Sequence, residues 1–238
     1  MRVLFVVTLL PSKSLDPKWE NLNLGLQRLG YHPRFLIPYP EVMTVQDTLL
    51  RDVKLLRPIR HGDTRGWFAE LFNAETFAAL GLPASFAQDN QSFSTRGVLR
   101  GLHYQIGHPQ GKLVRVLSGH IWDVAVDLRR DSPDFGHSAG FHLHPRTPQG
   151  ELEMLWIPEG FAHGFLVLSD TAEVLYKTTR GYYPPGERTL LWNDPELAIP
   201  WPLHEIKDQL GSTEVSVSAK DAKGARLNEA ELPGGCDI

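Results

Sequence analysis

The sequence predicts a mainly β fold, an all-β sandwich or barrel with short flanking helices, preceded by an N-terminal βα extension. Three observations carry that prediction. From Val53 onward, short apolar/polar alternations recur between Gly and Pro punctuation. One helix signal interrupts them, Ala74 to Leu80. Residues 1–42 follow a different pattern, with a continuous apolar run and then helical spacing.

Taken in order, MRVLFVVTLL suits a buried strand, Trp19 to Leu29 has amphipathic helical spacing, and HPRFLIPYP is a second extended piece. The unit resembles the opening of a Rossmann-like domain, such as that of a glycosyltransferase. No Gly-rich phosphate turn follows its first strand, and one βαβ fragment cannot build its own sheet. Residues 1–42 are therefore expected to be a dispensable extension, with Met43 a second plausible start and 43–238 the functional domain. In that domain, Asn73 caps the Ala74 to Leu80 helix and Gly81-Leu82-Pro83 closes it. Lys112 to Arg130 reads as a hairpin, with alternation around Val114 and Val116, a turn at Ser118-Gly119 and a second strand from Ile121 to Leu128. Further strands are expected at Gly140 to His144, Met154 to Ile157, Gly164 to Leu168, Glu173 to Thr178 and Thr189 to Trp192. The tail, residues 203–238, is polar and reads as surface with some helix.

Composition narrows the function. A net charge of −4 at pH 7 argues against a nucleic-acid protein. The single cysteine, Cys236, allows neither an internal disulfide nor a Cys-based metal cluster, which fits a reducing cytoplasm. No apolar run approaches the roughly 18 residues of a membrane span. The chain is expected to be soluble and cytoplasmic, with no membrane partner.

Two histidine motifs bracket the β region: Gly97 with His103 in G-x5-H, and Pro158, Gly160 and His163 in P-x-G-x-x-H. Together they resemble the signatures of cupins, jelly-roll barrels that usually carry H-x-H and a later Glu as metal ligands. Here Gln105 takes the second ligand position, and no Glu stands between it and Gly119. The remaining histidines are a poor first-row metal set, so no catalytic metal is expected. His142 and His144 could pair on a strand face, but no third ligand is evident nearby, and Pro145 favours plain surface.

The resemblance then narrows. DTRGWFAELF, FAQDNQSFS, GVLRGLHYQ, QGKLVRVLSG, DVAVDLRRDSPDFG, IPEGFAHGFLVLSD, LYKTT, LLWNDPELAIPWP and SAKD stand in the order and spacing of dTDP-4-dehydrorhamnose 3,5-epimerases, from about Met43 to the C-terminus. That resemblance implies a cupin-type jelly roll and a cofactor-free isomerase. Its substrate would be a dTDP-sugar, dTDP-4-dehydro-6-deoxy-glucose, inverted at C3 and C5 on the way to dTDP-rhamnose. The chemistry is coherent, because a C4 ketone acidifies both positions: a base forms an enolate and an acid on the opposite ring face returns a proton.

The resemblance assigns the base to His103, whose side-chain type titrates at roughly 6.5, and the acid to Tyr176. It pairs the base with Asp221; Asp123, in strand phase, is the alternative partner. Lys112 is the expected clamp for the enolate oxygen. Arg100, Gln88, Asp89, Asn90 and His163 match positions around the sugar and diphosphate, where Arg offers bidentate phosphate contacts. Arg65, Phe68 and Glu70 match a nucleotide-binding segment that in the family reaches into the neighbouring subunit, which implies a homodimer. Glu187 and Lys220 also match substrate-contacting positions. Tyr182 matches the ring that stacks on thymine, but Arg180-Gly181 precedes it where the family commonly has another aromatic. That departure bears on nucleotide affinity more than on chemistry.

Three alternatives stay open at this level: an epimerase acting at C3 or C5 alone, a non-catalytic nucleotide-sugar-binding cupin, and a metal-dependent cupin oxygenase. Gln105 disfavours the last.

Overall fold

The computed structural model describes residues 42–234. The expected N-terminal strand and helix, and Cys236, lie outside the described residues. In chain order the elements are β1 (Met43–Asp47), β2 (Lys54–Pro58), β3 (His61–Asp63), β4 (Gly66–Phe68), α1 (Ala74–Ala79), β5 (Gln88–Thr95), β6 (Leu99–Gln105), β7 (Lys112–Ser118), β8 (Ile121–Asp127), β9 (Ser138–Leu143), β10 (Met154–Ile157), β11 (Phe161–Val167), β12 (Thr171–Thr178), β13 (Glu187–Thr189) and α2 (Leu203–Leu210).

The strands form two main sheets, ordered β1-β2-β10-β7-β12-β5 and β13-β6-β11-β8-β9, with β3-β4 as a separate ribbon. Period-two alternation sends Val114, Val116 and Val174 of the first sheet and Ile121, Ala125, Phe165 and Val167 of the second into one shared core. This is the jelly roll the sequence resembles. The outer faces are covered as well. Around α1, Phe77 and Leu82 pack with Leu56, Leu113, Met154 and Trp156. Leu190, Leu197 and Leu227 cover Leu102, Tyr104, Val124 and Val126 on the other sheet.

Helix α1 forms where the capping pattern places it. Asn73 accepts from the Glu75 and Thr76 amides at 2.9 and 3.3 Å, and Gly81 follows the helix in the left-handed region at φ +72°.

Three expectations change. The hairpin expected over Lys112 to Arg130 is not one, because β7 pairs with β10 and β12 while β8 pairs with β9 and β11 in the opposite sheet. The turn carries the chain from one sheet to the other. It does so at Gly119, where φ is +83° and a Cβ would stand 2.1 Å from the Thr171 carbonyl. Period-two alternation marks a strand but not its partner, so both topologies share one sequence signature. The strand expected at Thr189 to Trp192 lies earlier, at Glu187–Thr189, and the chain then bridges from Leu190 to Ala225. The tail expected to be surface instead packs: Ser216 bridges Val98, and Asp221 and Leu227 are buried.

Candidate active site

Strands β6 and β11 approach unusually closely. A Cβ on Gly101 would stand 2.5 Å from the Gly164 Cα, and one on Gly164 would stand 2.5 Å from the Arg100 carbonyl. The register shifts there, with His163 directly opposite His103. Two imidazoles from the two signature motifs are thereby set side by side in one cleft.

Each imidazole has its own carboxylate. Asp221 Oδ1 lies 2.6 Å from His103 Nε2, while its Oδ2 accepts from the Gly101 amide at 3.3 Å. Asp123 takes His163 Nε2 at 2.9 and 3.1 Å. Asp123, the alternative partner for His103, therefore serves the other histidine. Its place on β8, across β11 from β6, directs it to His163. Desolvation opposes ionisation of Asp221, but the His103 contacts and the Gly101 and Ser218 bonds outweigh it and hold its carboxyl below the usual range. Burial pushes His163 down, against the pull of Asp123, so that imidazole favours the neutral form.

The cleft has a volume of about 300 Å³ and is lined by His103, Lys112, His163, Tyr176, Arg100 and Glu187, with Gln88, Asn90 and Tyr182 at its rim. Lys112 is buried, 7% exposed, rather than on a solvated strand face. Its Nζ donates to the His103 carbonyl at 3.1 Å, and desolvation brings its pKa down to about 8 despite nearby Asp123 and Glu187.

Three tyrosines line the cleft, and only Tyr176 has a free hydroxyl among the described residues. The Tyr104 hydroxyl donates to the Glu231 carbonyl at 2.8 Å, and the Tyr182 hydroxyl donates to Glu187 Oε2 at 2.8 Å. Tyr176 sits on β12, in the sheet opposite His103, and burial raises its pKa. At neutral pH it is a phenol with a proton to give.

The remaining residues divide. Gln88 donates to Asn90 Oδ1 at 2.7 Å and accepts from the Tyr182 amide at 2.9 Å. The Arg100 guanidinium is braced by Ser94 Oγ at 2.9 Å and the Phe93 carbonyl. Glu187 pairs with Lys220 and Tyr182; these two outweigh its partial desolvation and hold it below the usual carboxylate range. Asp89 is not brought in. Strand alternation turns it outward, where it takes Lys177 Nζ at 2.9 Å. Arg65, Phe68 and Glu70 also lie away from this cleft. Arg65 is exposed and paired with Asp63, Phe68 is 70% exposed on the β3-β4 ribbon, and Glu70 accepts from Asn73 and Thr76.

Among the lining groups the sequence reading missed, two bear on the site's polar contacts. Ser92 Oγ is buried without a protein partner; its position two residues after Asn90 on β5 was the available signal. Gln105, read only as a missing ligand, donates to the His108 carbonyl and accepts from the Tyr183 amide, fixing the loop that carries Tyr182.

The chain is similar to known proteins in sequence and fold. The family model described as dTDP-4-dehydrorhamnose 3,5-epimerase matches residues 47–229. A protein of that name from Pseudomonas aeruginosa is 50% identical over 181 residues, covering 76% of this chain and 93% of the relative. A dTDP-6-deoxy-D-glucose-3,5-epimerase from Legionella pneumophila, solved with dTDP-4-keto-L-rhamnose, superposes with a TM-score of 0.72 at 44% identity, covering 80% of this chain and 97% of that one. A 3'-monoepimerase from Streptomyces bikiniensis, solved with dTDP, superposes at 0.69 with 30% identity, covering 81% and 94%.

Proposed function

The chain belongs to the dTDP-4-dehydrorhamnose 3,5-epimerase family, and from that premise we propose how its cleft performs the reaction. The enzyme is an isomerase that inverts C3 and C5 of dTDP-4-dehydro-6-deoxy-glucose to give dTDP-4-dehydro-rhamnose. One observation carries the assignment of roles: His103, tied to Asp221, and Tyr176, with its free hydroxyl, stand on opposite sheets facing one cleft.

Asp221 accepts from His103 Nε2, which leaves the lone pair on Nδ1 as the base. Removing the proton alpha to the C4 ketone produces an imidazolium beside an ionised carboxylate and an enolate oxygen near Lys112. Both charges are met by fixed opposite charges, Asp221 and the buried Lys112, which lowers the barrier. Tyr176 then protonates the opposite ring face. His163, held neutral and oriented by Asp123, supplies a hydrogen-bonding wall beside the base. The ketone provides the activation, so the roles assigned here call for no cofactor.

Arg100, Gln88 and Asn90 are the proposed contacts to the sugar and diphosphate, with Ser92 as a further donor. Tyr182, held by Glu187 and Lys220, is the proposed platform for the thymine ring. The exposed Trp67 and Phe68 of the ribbon, with Arg65 and Glu70, support a homodimer in which this segment completes the neighbour's nucleotide site. The product would feed dTDP-rhamnose for a lipopolysaccharide or cell-wall polysaccharide, in the cytoplasm. Among the described residues no helix is long and apolar enough to cross a membrane.

Turnover of dTDP-4-dehydro-6-deoxy-glucose in deuterium oxide, followed by NMR, tests this reading. Deuterium at both C3 and C5 is expected. Incorporation at a single carbon would favour the single-centre reading, which the likeness to a 3'-monoepimerase keeps specific. No turnover, with dTDP binding retained, would leave a binding module.

A further inference from the structure

His142, on β9, and His144, one residue past its end, acquire in the fold neighbours that sequence spacing does not reveal. Register pairs His142 with Trp122 of β8. The next residue, Asp123, points into the cleft toward His163, so Trp122 and His142 face the other side of that sheet. His120, immediately before β8, and Glu205, in the first turn of α2, reach the same spot. His120 Nε2 lies 2.9 Å from His142 Nδ1, and Glu205 Oε1 lies 3.8 Å from His142 Nε2. One ligand atom from each of His120, His142 and Glu205 falls within 4.8 Å of the other two.

We propose that His120, His142 and Glu205 bind a divalent first-row transition metal, Zn²⁺ by preference, and that the ion clips α2 to the outer face of the five-stranded sheet. Ligands at about 2.0–2.1 Å in a tetrahedral shell stand about 3.3–3.5 Å apart, so on binding the His120 and His142 rings would turn out of their 2.9 Å contact to present one nitrogen each, and Glu205 would close on them. Two imidazoles and a carboxylate leave one position for water.

Its scaffold is rigid. The His120 amide donates to Ser169 Oγ at 2.7 Å, and its carbonyl accepts from the Leu168 amide at 2.9 Å. His144 stacks on the His120 ring at 3.9 Å and 14°, so it orients that ring rather than joining the ligand set. Trp122 abuts His142 edge-on at 4.6 Å.

Electrostatics agree with this geometry. Burial and the neighbouring His144, His142 and Arg96 bring His120 down to about 4, and His144 is likewise lowered. Arg96 is itself tied to Asp170 at 2.8 Å. A neutral His120 offers its lone pair without proton competition, the state a metal requires. The clip would act on the segment that leads from α2 to Asp221, giving a metal on the opposite face of the sheet from the cleft a route to influence the chemistry.

Titration of tag-free protein with zinc chloride by calorimetry, beside thermal unfolding with and without the metal, tests the proposal. The expected result is one equivalent of Zn²⁺ per chain and a rise in Tm. His142→Ala and Glu205→Gln should each weaken binding by at least about tenfold and remove the rise, with metal-free turnover at the parent level. The proposal is overturned by a parent protein that shows no saturable binding, or by both variants binding as the parent does. Should His142→Ala unfold, Glu205→Gln, altering a helix surface position, decides alone.

Discussion

Asp221 and His103 are 118 residues apart and 2.6 Å from each other, the carboxylate delivered by a polar tail to the imidazole of a core strand. The tail is ordered by its bridges to Val98 and Leu190, and Asp221 is buried at 3% exposure. If the pair fixes which imidazole nitrogen carries the lone pair, Asp221→Asn lowers kcat by about 10²–10⁴ while KM changes little. Steady-state kinetics at saturating substrate measures the split, and an unchanged kcat would remove Asp221 from the mechanism.

Tyr176→Phe separates the two proton transfers. Its base is intact, so the acidic C–H of the substrate should still exchange with deuterium oxide, while product forms about 10²–10⁴ times more slowly. His103→Ala should lose exchange and product together. NMR of the recovered substrate distinguishes these cases, and exchange abolished equally in both variants would contradict the assignment of base and acid.

Lys112 sets a basic limit. With its pKa near 8 in the free enzyme, the ammonium is lost as pH rises through that value, and kcat/KM should fall on the same limb. Stability should move in the opposite direction. Between about pH 8 and the ordinary lysine value of 10.5, the unfolded chain holds a proton that the folded chain has released, so this group's contribution to stability increases with pH. Lys112→Met should remove both effects, cutting kcat by about 10²–10³ without loss of folding free energy. A basic limb that persists in this variant would assign it to another group.

Strands from β7 to β12 were legible from their alternation or short apolar runs, whereas β1 to β6 were not read individually, and α1 was legible because Asn73 and Gly81 mark its ends. The strands' assembly was not, since pairing depends on partners far along the chain. Ser118-Gly119 looks the same whether it folds a hairpin or crosses between sheets. Site residues followed the same division. His103, Lys112 and Tyr176 were placed by ordered motifs, and the fold brings them to one cleft. Asp123 was in the correct strand phase, but its partner depended on which strand lay beside β8, and β11 carries His163 there. Asp89 shares a motif with Gln88 and Asn90, yet period two puts it on the opposite face. Residues near His142 escaped notice because the turn before β8 and helix α2 supply them from 22 and 63 residues away in sequence.

Gly181 offers a gain-of-affinity test. It is exposed beside Tyr182, and a Cβ there would meet only Gln88 Oε1, at 3.9 Å, so a side chain fits without backbone adjustment. The family commonly carries an aromatic at this point, and Tyr182, 54% exposed, presents the one ring now proposed to stack on thymine. A second ring is worth about 0.5–1.5 kcal/mol. At about 1.4 kcal/mol per decade, that is roughly a 2- to 12-fold change in Kd. Gly181→Phe should therefore bind dTDP tighter by that factor with kcat unchanged, because the substitution lies at the rim and leaves His103, Lys112 and Tyr176 untouched. Calorimetry with dTDP alone measures it. An unaltered Kd would show that the nucleotide does not pass over Gly181, and would move the thymine platform away from Tyr182.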